Sequence, residues 1–117
     1  FRSIDNYFIF TKNERMPIYG FVGALDFENI YTGNPYFKVN VMTLSEGMKN
    51  HSYSIHSYDE FGIVAKGSLG IEFDNKESYT LEEGECILIK SNTKHAVTNC
   101  SNEECISYWI QITNCEK

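Results

Sequence analysis

The chain has 117 residues, of which 42% are hydrophobic, 15% aromatic and 22% charged; this suits one domain with its own core and excludes both two domains and a disordered segment. No run approaches about 18 consecutive apolar residues, which excludes a membrane-spanning helix. Ten basic residues against sixteen acidic ones give a net charge of −6, with the lysines and arginines scattered singly, so this segment is expected to make no direct contact with nucleic acid.

The chain begins at Phe1 rather than at a methionine, and a fragment or processed product is therefore expected. No basic segment followed by an apolar core opens it, so no secretory signal is read and a cytoplasmic location is expected. Tyr7 to Phe10 reads as extended, and Ile18 to Phe27 mixes glycine with aromatics. Residues 1–36 are expected to form strands that extend a sheet or pack on a barrel, and 37–117 the barrel itself, within one domain.

From Phe37 onward the apolar residues recur with period two in short runs, the signature of half-buried strands. Phe37 to Val41 alternates and stops at Glu46-Gly47. Phe61 to Ala65 ends at Lys66-Gly67, and Ser68 to Phe73 leads into a turn at Asp74-Asn75-Lys76. Ser78 to Leu81 runs into Glu82-Glu83-Gly84, where the glycine is expected to take a positive φ. Cys86 to Ile89, Ala96 to Asn99 and Cys105 to Thr113 complete the series. Short strands at intervals of about 8–12 residues predict an all-β sandwich or barrel.

The four cysteines, Cys86, Cys100, Cys105 and Cys115, form no CxxC pair and have no histidine at zinc-finger spacing, so reduced thiols are expected. Cys86 and Cys105 fall in apolar strand patterns and read as small buried residues. The three histidines are His51, His56 and His95. In His56-Ser57-Tyr58-Asp59-Glu60 the histidine and glutamate stand four apart, so an extended chain projects both to one face. With His95 from a second strand region they make two histidines and one carboxylate, a set suited to a divalent ion with open positions. The same three groups can also satisfy one another as a metal-free cluster that grips a ligand. His51, five residues before His56, has the opposite strand parity and joins the set only across a bulge.

The spacing around these residues resembles the two motifs of the cupin family. The first, G(X)5HXH(X)3–4E(X)6G, maps onto Ser54, His56, Glu60 and Gly67, with Ser54 in place of the first histidine. The second, G(X)5PXG(X)2H(X)3N, maps onto Gly84, Lys90, Asn92, His95 and Asn99, with Lys90 and Asn92 in place of proline and glycine. The resemblance implies a single cupin jelly-roll barrel, or double-stranded β-helix. It implies a ligand site at His56, Glu60, His95, Ser54, Tyr58 and Phe73. It also leaves room for one divalent metal (Fe, Mn, Ni or Zn) on His56, Glu60 and His95.

The stretch from Asp59 to Leu69, DEFGIVAKGSL, is similar to the EEFGYVLEGEL segment of cupins that follow a helix-turn-helix. Tyr79 to Glu85, YTLEEGE, is similar to their YTLEAGD. That likeness implies the C-terminal sensor of a bacterial Xre-type transcriptional regulator, a homodimer binding a small organic effector, with no catalytic residue and its DNA-binding part outside this chain. AraC-type regulators place a similar cupin before their helix-turn-helix. The alternative is a stand-alone metal-dependent cupin enzyme of the dioxygenase or isomerase type.

Overall fold

Among the described residues the computed structural model has eleven strands. The structure describes residues 2–4, 7–11, 16–21, 25–33, 35–49 and 53–113. The strands are β1 (Arg2–Ile4), β2 (Tyr7–Ile9), β3 (Met16–Phe21), β4 (Leu25–Tyr31), β5 (Phe37–Leu44), β6 (Asp59–Lys66), β7 (Leu69–Phe73), β8 (Ser78–Leu81), β9 (Cys86–Ile89), β10 (His95–Asn99) and β11 (Cys105–Ile112). Among the described residues there is no helix, hence none long and apolar enough to cross a membrane.

The strands pair antiparallel in a six-stranded sheet, β3-β4-β5-β11-β6-β9, a three-stranded sheet, β10-β7-β8, and a β1-β2 hairpin. The closing strand β11 lies between β5 and β6, both of which precede it in the chain with other strands intervening. This non-sequential order gives the expected all-β jelly roll. The strands β3 and β4 continue the large sheet beyond β5, with Leu25 opposite Leu44 and Asn29 opposite Asn40.

Burial follows the pleat. On β6, Glu60, Gly62 and Val64 are buried while Phe61 and Ile63 are exposed; on β11, Cys105, Ser107 and Trp109 are buried. The core comprises Met42, Leu44, Val64, Leu69, Ile71, Ile89, Cys105 and Trp109, drawn from both larger sheets. The expected turns also form. Lys76 (φ 74) closes the β7-β8 hairpin, and Gly84 takes φ 87 before β9.

Asn99, the asparagine of the second motif, serves the scaffold. Its buried amide nitrogen donates to the carbonyls of Leu44 (3.1 Å), Ser45 (2.9 Å) and Glu103 (2.8 Å), and its Oδ1 accepts from the Ser101 amide at 2.8 Å. It thereby joins the end of β5 to the β10-β11 turn. One cysteine departs from expectation: Cys86 is exposed, because Ile87 and Ile89 take the core face of the short β9 and Cys86 the other, whereas Cys105 is buried. Burial, with Cys100 and Glu103 nearby, pushes the Cys105 thiol up to about 11, so it stays protonated and unreactive at neutral pH. Cys115 lies outside the described residues.

Gly62 is required by the neighbouring strand. It sits opposite Trp109, and a Cβ there would fall 2.5 Å from Cζ3 of the indole. The indole is itself buried, with Nε1 donating to Ser107 Oγ at 2.8 Å, and cannot swing clear. Gly62→Ala should therefore lower the unfolding free energy by about 1–3 kcal/mol in urea titrations, the usual cost of overpacking a filled core.

Candidate metal centre

His56, Glu60 and His95 converge on one point. The Nε2 atoms of His56 and His95 lie 3.6 and 3.5 Å from Glu60 Oε1, and the three ligand atoms all fall within 4.8 Å of one another. Glu60 and His95 are only 5% and 7% exposed, and His56 is half-buried at the rim.

Different elements deliver the three groups. Glu60 is the second residue of β6 and faces inward by the pleat. His95 opens β10, and its backbone exchanges two hydrogen bonds with Ser54, at 2.7 and 3.0 Å. His56 does not lie in a strand continuous with Glu60, as the sequence had suggested. It precedes a bend at Ser57-Tyr58, and this bend brings its ring back over the carboxylate.

Asn92 secures that bend: its backbone N–H donates to the His56 carbonyl at 2.6 Å, tying the first motif to the turn before β10. Its φ is 62°, the left-handed conformation the motif's glycine would take, and asparagine is the residue after glycine that enters it most readily. The substitution therefore keeps the turn.

Outer contacts orient all three groups. His95 Nδ1 lies 2.9 Å from the Thr93 carbonyl, which can only accept, so Nδ1 carries a proton and Nε2 is free to face Glu60. Tyr58 stacks on the His56 ring, with centroids 4.8 Å apart, and its hydroxyl lies 3.1 Å from His56 Nδ1. Gln111 donates from Nε2 to Glu60 Oε2 at 3.3 Å, leaving Oε1 to the two imidazoles. Partners on the far nitrogen or oxygen of each ligand are what metal centres use to set tautomer and ring orientation. Neither Gln111 nor Thr93 belongs to a motif. The inward parity of Gln111, two residues beyond Trp109, was the only sign of it in the sequence.

The other expected site residues lie around this set. Ser54 and Phe73 are the neighbours of His95 on either side, through the isolated bridge Ser54–His95 and the pair His95–Phe73. Residues directly opposite share a sheet face, so Ser54, His95 and Phe73 form one row. Ser54 itself is exposed, and Phe73 packs against the core edge. His51 lies outside the described residues.

The donor set fits one divalent ion. Two ligands each about 2.1 Å from an ion stand at most about 4.2 Å apart, so the 3.5 and 3.6 Å separations already match. The widest spacing, within 4.8 Å, needs only a small contraction. A neutral nitrogen, a second neutral nitrogen and a carboxylate leave other coordination positions open.

The chain belongs to the cupin family: the model of the cupin domain matches residues 40–111, more than half of its length. No curated protein sequence matches it. Solved structures share the fold at low identity. One, described as FeII HppE, has TM-score 0.80 at 15% identity, covering 93% of this chain and 62% of that one. KdgF from Halomonas sp. has TM-score 0.73 at 14% identity, covering 94% and 97%. The Schizosaccharomyces pombe Cnp3 cupin domain has TM-score 0.69 at 12% identity, covering 77% and 61%. The chain thus aligns with only about three fifths of the Cnp3 and HppE chains.

Burial pushes the His95 pKa down, but the hydrogen bond to Glu60, the Thr93 carbonyl and the Glu60 charge outweigh it and leave it raised above 6.5. A raised folded-state pKa stabilises the fold fully below the unfolded value and loses that contribution as pH climbs through the folded one. Metal-free protein should therefore lose stability as pH rises from about 6.5, the ordinary histidine value. His95→Gln should flatten that slope in chelator-containing thermal melts across the same range.

Proposed function

We propose that this chain is the small-molecule-binding module of a bacterial transcriptional regulator and reads its effector through one divalent ion held by His56, Glu60 and His95. The observation that carries this reading is the meeting of three ligand atoms whose far sides are already engaged by Tyr58, Gln111 and Thr93. When bound, the ion supplies a Lewis-acid anchor for an oxygen or nitrogen of the effector. Glu60 contributes the single negative charge, Gln111 holds its carboxylate in place, and His95 keeps its proton on Nδ1. Phe73 and Tyr58 offer apolar and aromatic surface beside the centre. Effector binding then favours one arrangement of the domain over another, which a DNA-binding part outside this chain would read. The acidic balance agrees with a segment that does not itself touch DNA.

A second reading, a stand-alone metal-dependent enzyme, draws on the TM-score of 0.80 to a protein described with Fe(II). Two experiments separate the possibilities. Native mass spectrometry of protein loaded with Mn(II) or Zn(II) should show one ion per chain, lost in His56→Ala; Gln111→Ala should weaken it about 10- to 100-fold, the usual effect of removing an outer partner. A wild-type protein that takes up no ion would reject the metal reading. The coding sequence upstream of Phe1 decides between regulator and enzyme, a helix-turn-helix pattern there supporting the regulator.

The partner expected at the outer face of the large sheet is a second copy of this chain. Val39, Ile110, Phe61 and Leu88 stand in one cross-strand row on β5, β11, β6 and β9, and the last three are exposed. Two copies stacking this face would remove the row from water. Leu88→Lys should convert a dimer to a monomer in sedimentation velocity while leaving metal uptake unchanged.

A further inference from the structure

Among the described residues, one buried polar side chain has no hydrogen-bond partner. Asn40, on β5, is 1% exposed, and neither its Nδ2 nor its Oδ1 has a hydrogen-bond partner among the described residues. A carboxamide left unsatisfied inside a protein is unfavourable and uncommon, since buried polar groups are nearly always paired with protein, water or ligand. The position is not on the outer face. Asn40 stands opposite Trp109, whose own partner across β6 is Gly62, and opposite Asn29 on β4. The next inward row is Lys38, Gln111 and Glu60. Asn40 is therefore a diagonal neighbour of Gln111, the residue that holds Glu60, and diagonal neighbours lie within reach of long side chains. Gly62 has no side chain to intervene, and the indole of Trp109 lies over it.

We propose that the Asn40 carboxamide reads the organic part of the ligand, taking an uncharged hydroxyl or carboxamide group of a small molecule whose other end lies at the His56–Glu60–His95 centre; this rests on the metal-assisted binding proposed above. The chemical class follows from the two free atoms. Nδ2 donates and Oδ1 accepts, so a group that also donates and accepts satisfies both, and a carboxamide does so in a paired ring of two hydrogen bonds. An ionised carboxylate would satisfy Nδ2 but set its negative oxygen against Oδ1. The only cation in the adjoining row, Lys38, is exposed at the start of β5 and is free to stay in water.

The test uses glycolamide, with acetate, whose one polar group is an ionised carboxylate, as the charged counterpart, on Zn(II)-loaded protein. Its readout is the side-chain amide resonance of Asn40 in 15N-labelled protein. Glycolamide should shift that resonance saturably and acetate should not. Asn40→Leu, similar in size, should bind glycolamide about tenfold more weakly, as expected for two lost neutral hydrogen bonds, with Zn(II) uptake unchanged and the thermal midpoint equal or higher. Equal shifts by both compounds would overturn the uncharged class. Unchanged glycolamide binding with a lowered midpoint would overturn the assignment and make the amide the partner of an internal water. Should the wild type take up no Zn(II), the metal reading falls. Asn40 is then judged on metal-free protein, where a saturable glycolamide shift supports the assignment and its absence overturns it. The wild-type resonance needs no variant to fold.

Discussion

A carboxylate buried between two imidazole nitrogens, at 3.5 and 3.6 Å, is the constraint around which this barrel is arranged. An isolated negative charge inside a protein is strongly unfavourable, so something positive must share the space. In the metal-free molecule the Glu60 hydrogen bond and charge favour the protonated form of His95 and, against its burial, raise its pKa above the ordinary histidine value. The same electrostatics are compatible with a divalent ion, which would replace one shared proton with a stronger positive charge on the three ligand atoms. Protonation and metal binding are thus two answers to one problem of charge.

Much of the surrounding structure serves to keep that geometry. Gln111 engages one oxygen of Glu60 and thereby presents the other. Thr93 and Tyr58 hold the far nitrogens of the two histidines. Asn92 binds the backbone of His56, and Asn99 locks the end of β5 to the turn before β11. The two asparagines have opposite uses. Asn92 contributes a left-handed backbone that few other residues adopt, whereas Asn99 contributes an amide that meets several carbonyls at once. Asn40 differs from both, being as deeply buried as Asn99 and yet without a hydrogen-bond partner among the described residues.

The two faces of the large sheet divide the work. Inward positions carry the core, the carboxylate and its amide partners, while outward positions on β11, β6 and β9 carry exposed isoleucine, phenylalanine and leucine. On β6 and β11 period-two alternation keeps the two sets of residues apart. Trp109 and Phe61 illustrate this: both are aromatic and both lie on the central strands, but one closes the floor of the interior and the other faces out.

The sequence alone was enough to determine the strands from Phe37 to Ile112, the cupin fold and the trio His56, Glu60 and His95. Alternation and fixed spacing are local properties that survive without coordinates. It also exposed the departures at Ser54, Lys90 and Asn92, but not their consequences. Only the tertiary structure showed that Asn92 keeps the glycine's conformation, that His56 arrives from a bend and not along a strand, and that Cys86 faces out. Gln111 and Asn40 were likewise invisible as site residues. Their roles depend on β11 inserting between β5 and β6, which sets residues distant in the chain side by side. Strand parity says which side of a sheet a residue takes, but not which strand lies next to it, and the centre is assembled by that second choice.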